Sequence, residues 1–310
     1  MNIFCIGQAA YDITVSLEGE LVENRKYRVT EPKECGGGPA FNAACLCALW
    51  GARTYLISKI GTDKYGETLK EILFDFGVEQ TYLIQKKEIM TPYSFIITRS
   101  DNGSRTIFNF PGKKLDITHK KPCEEIDIIL SDGHEPEITL QLIKENPKAI
   151  SIVDAGSFRE STCTVARGVD YLICSEDFAR QYTKKNINLK DREEVKEIFE
   201  QIENINHKYV VITLGERGLL YRSEKGEVCH LPAYPVNAID TSGAGDIFHG
   251  AFAYGMSKNL SLVENLKQSS MASAISVQRK GSQTSIPTFE EVKELLSAKG
   301  GVYNELCKND

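Results

Sequence analysis

The segment Asp240-Thr-Ser-Gly-Ala-Gly-Asp246 holds the residue types from which a phosphoryl-transfer site is built. Small residues at 243–245 let a backbone approach a ligand closely. The run behind them, Ile247-Phe-His-Gly-Ala-Phe-Ala-Tyr254, reads as a helix. At a helix N-terminus the free amides and the dipole favour an anion. Asp246 falls in that first turn, facing whatever the amides bind. Phosphoryl transfer needs donors for the charge on the moving group and a carboxylate to take the hydroxyl proton. Gly243, Ala244 and Gly245 would be the donors and Asp246 the general base.

A glycine turn capped by an aspartate is the plainer reading of Gly-x-Gly-Asp alone. The full heptad, set between a strand and a long helix, weighs against it. The spacing after Gly245 does not fit the Gly-x-Gly-x-x-Gly of a dinucleotide-binding fold. No Gly-x4-Gly-Lys-Ser/Thr segment occurs, so a P-loop is excluded.

The elements that must position this segment are legible in the chain of 310 residues. Short apolar runs recur at Ile3–Ile6, Thr54–Ile60, Ile126–Leu130, Ile150–Val153, Tyr171–Cys174 and Tyr209–Leu214. Runs apolar throughout suit strands covered on both faces, and strands alternating with helices imply a doubly wound, mostly parallel α/β sheet flanked by helices. Pro39 opens a helix over Ala40–Trp50 that Gly51 ends, and Asp63 caps one running to Phe76 before Gly77. Asp191–Ile205 and Phe289–Ala298 are amphipathic. Residues 12–35 and 90–112 instead alternate apolar and polar, as in Tyr93–Thr98 and Thr106–Phe110, and Asp101-Asn-Gly103 is a hairpin signal. They predict a small antiparallel β lid outside the main layer. With no repeat and no low-complexity linker, one domain spans 1–310.

Composition excludes several classes. Hydrophobic residues make up 41% and charged residues 26%, which suits a soluble globular protein. A net charge of −6, with no run of five like charges, argues against a nucleic-acid surface. No apolar stretch is long enough to span a membrane, and no signal peptide is evident. The nine cysteines include no Cys-x-x-Cys pair and many lie in apolar runs, so they read as buried thiols in a reducing cytoplasm.

Asp240–Asp246 with Phe248 resembles the signature of the ribokinase-like (PfkB-type) carbohydrate kinases. Four further segments resemble that family in the right order: Gly7 with Asp12; Gly36-Gly-Gly-Pro-Ala-Phe-Asn42; Val211-Ile-Thr-Leu-Gly-Glu-Arg-Gly218; and Arg279-Lys-Gly-Ser-Gln-Thr-Ser285. The resemblance covers nearly the whole chain. It implies the ribokinase-like fold and transfer of the ATP γ-phosphate to a hydroxyl of a small carbohydrate.

Residue by residue, it implies a sugar site of Asp12, Gly38 and Asn42. A fourth contact follows Ile126–Leu130, where ribose-preferring members carry Glu. This chain has Ser131-Asp-Gly-His-Glu135, which puts His134 nearest that position with Asp132 close by. Phe108 and Phe110 of the lid are candidates either to close on the sugar or to pack as aromatic core. The nucleotide would meet Thr213, Gly215, Arg217, Gly218 and Ser270, with Ser175 after the strand Tyr171–Cys174. Many relatives carry Asn-x-x-Glu there to organise magnesium-bound water. Here the segment is Ser175-Glu-Asp-Phe178, so Glu176 or Asp177 would have to compensate.

The implied cofactors are ATP, Mg2+ and K+. Candidate ligands for the potassium ion are Asp240, Ser242, Ser276, Arg279, Gly281 and Ser285, several through carbonyls. The implied partners are a small sugar and a nucleotide, and a homodimer through the lid, with neither nucleic acid nor membrane. Two other readings keep the fold: a nucleoside kinase, which needs an aromatic slot for a base, and a catalytically silent sugar or nucleotide sensor.

Overall fold

The structure is a computed structural model and describes residues 1–29, 31–99, 105–112 and 120–306. In chain order the elements begin with β1 (Asn2–Ile6), β2 (Ala10–Leu17), β3 (Lys33–Gly37), α1 (Pro39–Leu49), β4 (Arg53–Ile57), β5 (Lys59–Gly61), α2 (Lys64–Asp75), β6 (Ile84–Lys86), β7 (Tyr93–Arg99) and β8 (Arg105–Phe110). They continue with β9 (Ile128–Ser131), α3 (Pro136–Glu145), β10 (Ile150–Ala155), α4 (Glu160–Ala166), β11 (Tyr171–Ser175), α5 (Glu176–Thr183), α6 (Arg192–Asn206) and β12 (Tyr209–Thr213). The last are β13 (Leu219–Arg222), β14 (Val228–Leu231), α7 (Ala244–Ser257), α8 (Leu262–Ser276) and α9 (Phe289–Leu306).

The main sheet has eight strands in the order β14-β13-β12-β11-β10-β9-β1-β4. Pairing is parallel from β12 to β4, and β13 and β14 extend that edge antiparallel. Strand alternation divides the core. Ile3, Cys5, Leu130 and Ile173 face one side, with α1, α7 and α8. Phe4, Ile6 and Ile129 face the other beside α3, and Leu172, Cys174 and Ile212 pack there against the α4–α6 layer. Both faces are therefore covered, which is why these strands read as unbroken apolar runs.

The helix signals act as expected. Asp63 accepts from Gly66 N at 2.9 Å and Asp191 from Glu194 N at 3.1 Å. Pro39 opens α1, and α9 runs on past the expected Ala298 to Leu306. The described cysteines are all free. No helix among the described residues is long and apolar enough to cross a membrane.

A second sheet, β3-β2-β7-β8, stands apart from the first. It comprises two antiparallel pairs, β2–β3 and β7–β8, joined by a parallel seam between β2 and β7. The Asp101-Asn-Gly103 turn lies outside the described residues. One face carries a file of rings: Tyr65 stacks on Tyr11 at 4.7 Å and meets Tyr93 at 5.5 Å, and Tyr93 stacks on Phe110 at 4.4 Å. The file ties the sheet to α2.

Two helices with small contact residues bring the chemistry together. A side chain at Gly250 of α7 would sit 3.0 Å from the Cα and carbonyl oxygen of Ala43 in α1. That close approach sets Asn42 of α1 against Asp246 of α7. Gly250→Ala is expected to cost about 1–3 kcal/mol of stability, because backbone cannot step aside. Urea unfolding measures the loss, and unchanged stability would refute the tight α1–α7 fit.

Candidate active site

The site forms at the C-terminal ends of the parallel strands, where open α/β sheets bind ligands. Gly243 caps α7 in the left-handed conformation, φ 74°, and Gly243 O accepts the first helical bond from Ile247 N at 2.9 Å. In α7, as in any helix, the first amides have no partner within the helix. A side chain at Gly245 would meet nothing within 4 Å, so the turn has open space before it. Asp246 lies in that first turn, and Asn42 Nδ2 donates to its Oδ2 at 2.6 Å. Asn42 Oδ1 is buried without a hydrogen-bond partner.

Asp246 is held in an unusual electrostatic state. Burial pushes its carboxyl up to about 8; the neighbouring Asp154 adds to this, Asn42 opposes it, and Asp132 and Asp12 contribute further. A carboxyl of that kind is close to the pH at which a general base works best.

The residues expected to hold the sugar gather around it. Asp12 on β2 lies over Gly37, where an added side chain would meet its Oδ2 at 2.2 Å. Gly38 has φ 96°, and a side chain there would strike Gln8 O at 2.5 Å. Gly38 O receives Asn42 N at 3.0 Å. Asp12, Gly38, Asn42 and Asp246 therefore lie together where α1, α7 and the second sheet meet.

Asp132 corrects the sequence reading. Its carboxylate is almost fully buried and occupied: Oδ2 accepts from Gln8 N at 2.8 Å and Ala40 N at 3.4 Å, and Oδ1 from His134 N at 2.9 Å. Burial raises its pKa, but the His134 ring and these amides outweigh that, leaving it below the ordinary value. Asp132 clamps β9 to the segment after β1 rather than offering oxygen to a sugar. His134 is drawn into the same network. Its Nδ1 lies 3.0 Å from Asp132 Oδ1, and Arg159 Nη1 reaches its Nε2 at 2.8 Å. Arg159 Nη2 also donates to Asp132 O at 3.0 Å. Phe108 is about half exposed on the second sheet.

A cavity of about 590 Å³ adjoins the head of α7. Thr213, Gly215, Arg217, Gly218 and Ser270 all line it, and it reaches Ala244 and Gly245. Gly218, with φ 93°, closes the β12–β13 turn against Leu231 O. The Arg217 guanidinium does not point freely into the cavity. It pairs with Glu176 and donates to Ile187 O at 2.9 Å. Ser175 is not part of the lining. Its hydroxyl caps α5 by accepting from Phe178 N at 3.0 Å and donates to Gly156 O at 2.8 Å. Glu176, one residue on, does line the cavity.

The candidate cation residues form one linked pair of loops. Asp240 Oδ1 accepts from Ser242 N at 2.9 Å and Oδ2 from Gly281 N at 2.8 Å. Ser276 and Ser285 donate to the carbonyls of Ser273 and Ser282, both at 2.8 Å, and the Arg279 guanidinium turns away to Glu291. Among the described residues no cluster of three or more His, Cys, Asp or Glu could hold a metal. The loops do present hard oxygen donors.

Sequence reasoning missed Asp154, Arg159, His249 and Ser273. Asp154 had a signal: it follows the apolar run Ile150–Val153, at the C-terminal end of a strand. Ser273 Oγ donates to Ala244 O at 2.6 Å, which fastens α8 to the first turn of α7.

The model of the pfkB family carbohydrate kinases matches residues 1–289. The chain belongs to that family. The kinase is 27% identical over 308 residues to a ribokinase from Staphylococcus aureus, covering 95% of this chain and 99% of the relative. It is 26% identical over 312 residues to a deoxyribokinase from Salmonella typhi, covering 96% and 99%. A crystal structure of a ribokinase from Thermotoga maritima superposes with a TM-score of 0.80 at 26% identity, covering 95% of this chain and 99% of that one. The enzyme is an ATP-dependent carbohydrate kinase, and the sensor and nucleoside readings are not favoured.

The charge state of Asp246 has a thermodynamic signature. Below its ordinary value of 3.8 it is protonated in folded and unfolded chains alike. Above that the unfolded chain releases the proton while the folded chain holds it, so this contribution to stability is lost as pH rises towards about 8. Asp246→Asn cannot ionise. It is expected to be more stable than the wild type at pH 9 by more than about 1 kcal/mol, roughly 2 °C in Tm, with the gain shrinking at pH 4. Calorimetry at the two pH values checks this, and an equal difference at both would contradict the buried charge.

Proposed function

We propose that Asp246 is the general base of the kinase and that the amides of Gly243, Ala244 and Gly245 hold the transferring phosphoryl group. The Asn42–Asp246 hydrogen bond carries this reading, because it joins the acceptor cleft to the head of α7 beside the nucleotide cavity. Asp12 and Asn42 grip the sugar. Asn42 is suited to the task, since its buried Oδ1 has an unused acceptor for a hydroxyl. The attacking hydroxyl gives its proton to Asp246 as its oxygen bonds to the γ-phosphorus and the bond to the β-phosphate oxygen breaks. ADP leaves, and the proton is later released to solvent.

The acceptor is a small carbohydrate. The relatives named ribokinase and deoxyribokinase favour a pentose. His134 tied to Arg159, where ribose-preferring relatives carry Glu, gives that end of the cleft a different character. Magnesium neutralises the nucleotide phosphates when bound. Glu176, which pairs with Arg217, and Glu216 are the acidic residues at the cavity that would hold its water shell. Potassium suits the oxygen-rich loops around Asp240 and Gly281, which lead into the Gly243–Asp246 turn. We further propose that the enzyme works in the cytoplasm and pairs as a homodimer through the second sheet, whose β8 exposes Ile107 and Phe108.

Asp246→Asn should lose about 10²–10⁴-fold in kcat while keeping its nucleotide affinity. Wild-type turnover in that variant would sink the base assignment. In the wild-type enzyme kcat/KM should climb with pH towards about 8, since only ionised Asp246 accepts a proton. A panel of pentoses, hexoses, ketoses and adenosine measured with ATP identifies the acceptor; adenosine as the best substrate would reverse the carbohydrate reading. Equal rates in potassium and in a bulky organic cation would count against the loop site.

A further inference from the structure

His249 lies three residues beyond Asp246, one turn along α7, and only 4% of it is exposed. Its two ring nitrogens both face acceptors. Nδ1 is 2.6 Å from Gly245 O and 3.1 Å from Asp154 Oδ2, while Nε2 is 3.3 Å from Ile173 O on β11. A carbonyl oxygen has no hydrogen to give. A neutral ring would therefore aim one lone pair at an acceptor, in a place where water cannot intervene. Only the imidazolium donates through both nitrogens.

A buried cation requires a counter-charge. Asp154 supplies it, from the end of β10: burial pushes its carboxyl above the ordinary value, and the charge of the His249 ring opposes that. Asp154 in turn faces Asp246, as do Asp132 after β9 and Asp12 on β2. His134 and Arg159 also face Asp154. Without compensation, this set of carboxylates would crowd negative charge where phosphoryl oxygens must dock.

We propose that His249 is a positioning residue of the kinase: a buried imidazolium that neutralises Asp154 and pins Gly245 in the first turn of α7. It touches neither sugar nor nucleotide. Its three contacts bind the first turn of α7 to β10 and β11, so the amides and the base carboxyl keep one geometry. The kinetic part of this proposal rests on Asp246 being the base.

Nitrogen NMR of the full chain with labelled histidine tests the charge directly. Both nitrogens of one ring should carry hydrogen at pH 7, with that signal absent in His249→Gln and altered in Asp154→Asn. A neutral tautomer at that ring would overturn the proposal. This readout needs no turnover, so it stands or falls apart from the role of Asp246. In kinetics, His249→Gln leaves Asp154 facing Asp246 without its cation. The acidic limb of kcat/KM should move up by about one pH unit, roughly a tenfold loss below the limb, with the nucleotide KM within about twofold of wild type. A limb that does not move, or a loss equal at every pH, would mean a merely structural side chain. If His249→Gln does not fold, the wild-type signal and its response to Asp154→Asn decide the matter. If Asp246→Asn keeps full turnover while the doubly protonated ring is found, the base assignment fails and the imidazolium stands.

Discussion

The constraint on which this enzyme depends is the burial of a carboxyl among other carboxyls. Asp246 is partly withdrawn from water at the head of α7, with Asp154, Asp132 and Asp12 around it. Alone, that arrangement would be costly, because a buried charge needs a partner. Each acid is answered differently. Asp132 is answered by three backbone amides, Asp154 by the ring of His249 and Asp246 by the amide of Asn42. Asp12 sits over Gly37, where no side chain competes for space. The answers come from α1, α7, β9 and β10 together, so the site exists only when the whole sheet is assembled.

That division of labour explains what could be read from the chain. The layer fold was legible because strands buried on two faces must be apolar throughout, and helices carry their caps in sequence. The Asp240–Asp246 segment was legible because amides plus a carboxylate in a first turn is a local arrangement. Asp132 was misread for a related reason. An acid after a strand looks available, and only the fold reveals that Gln8 and Ala40 have taken its oxygens. Ser175 was misread likewise, as its hydroxyl serves the helix it precedes.

The residues that escaped notice act across long separations. His249 looks like one more residue in an apolar helix until Ile173 and Asp154 are brought against it. Arg159 gains meaning only beside His134, 25 residues earlier. The β2–β7 seam joins strands whose intervening chain includes α1 and α2, and alternation along either strand says nothing about which neighbour it will take. Local chemistry names a base; the surroundings that tune it are written in contacts.

The hydrogen bond from Gly281 N to Asp240 Oδ2 joins residues 41 apart. During synthesis the Asp240–Asp246 turn emerges well before the partner that completes it. At about 5–20 residues per second the interval is a few seconds. Ser282, next to that partner, also bonds back to Gly36 O, and Trp50 Nε1 to Pro287 O. The loop of residues 277–287 thus locks together segments made at the beginning and near the end of translation. A nascent chain therefore carries the Asp240–Asp246 turn before its brace, and that brace can form only once this late loop has left the ribosome.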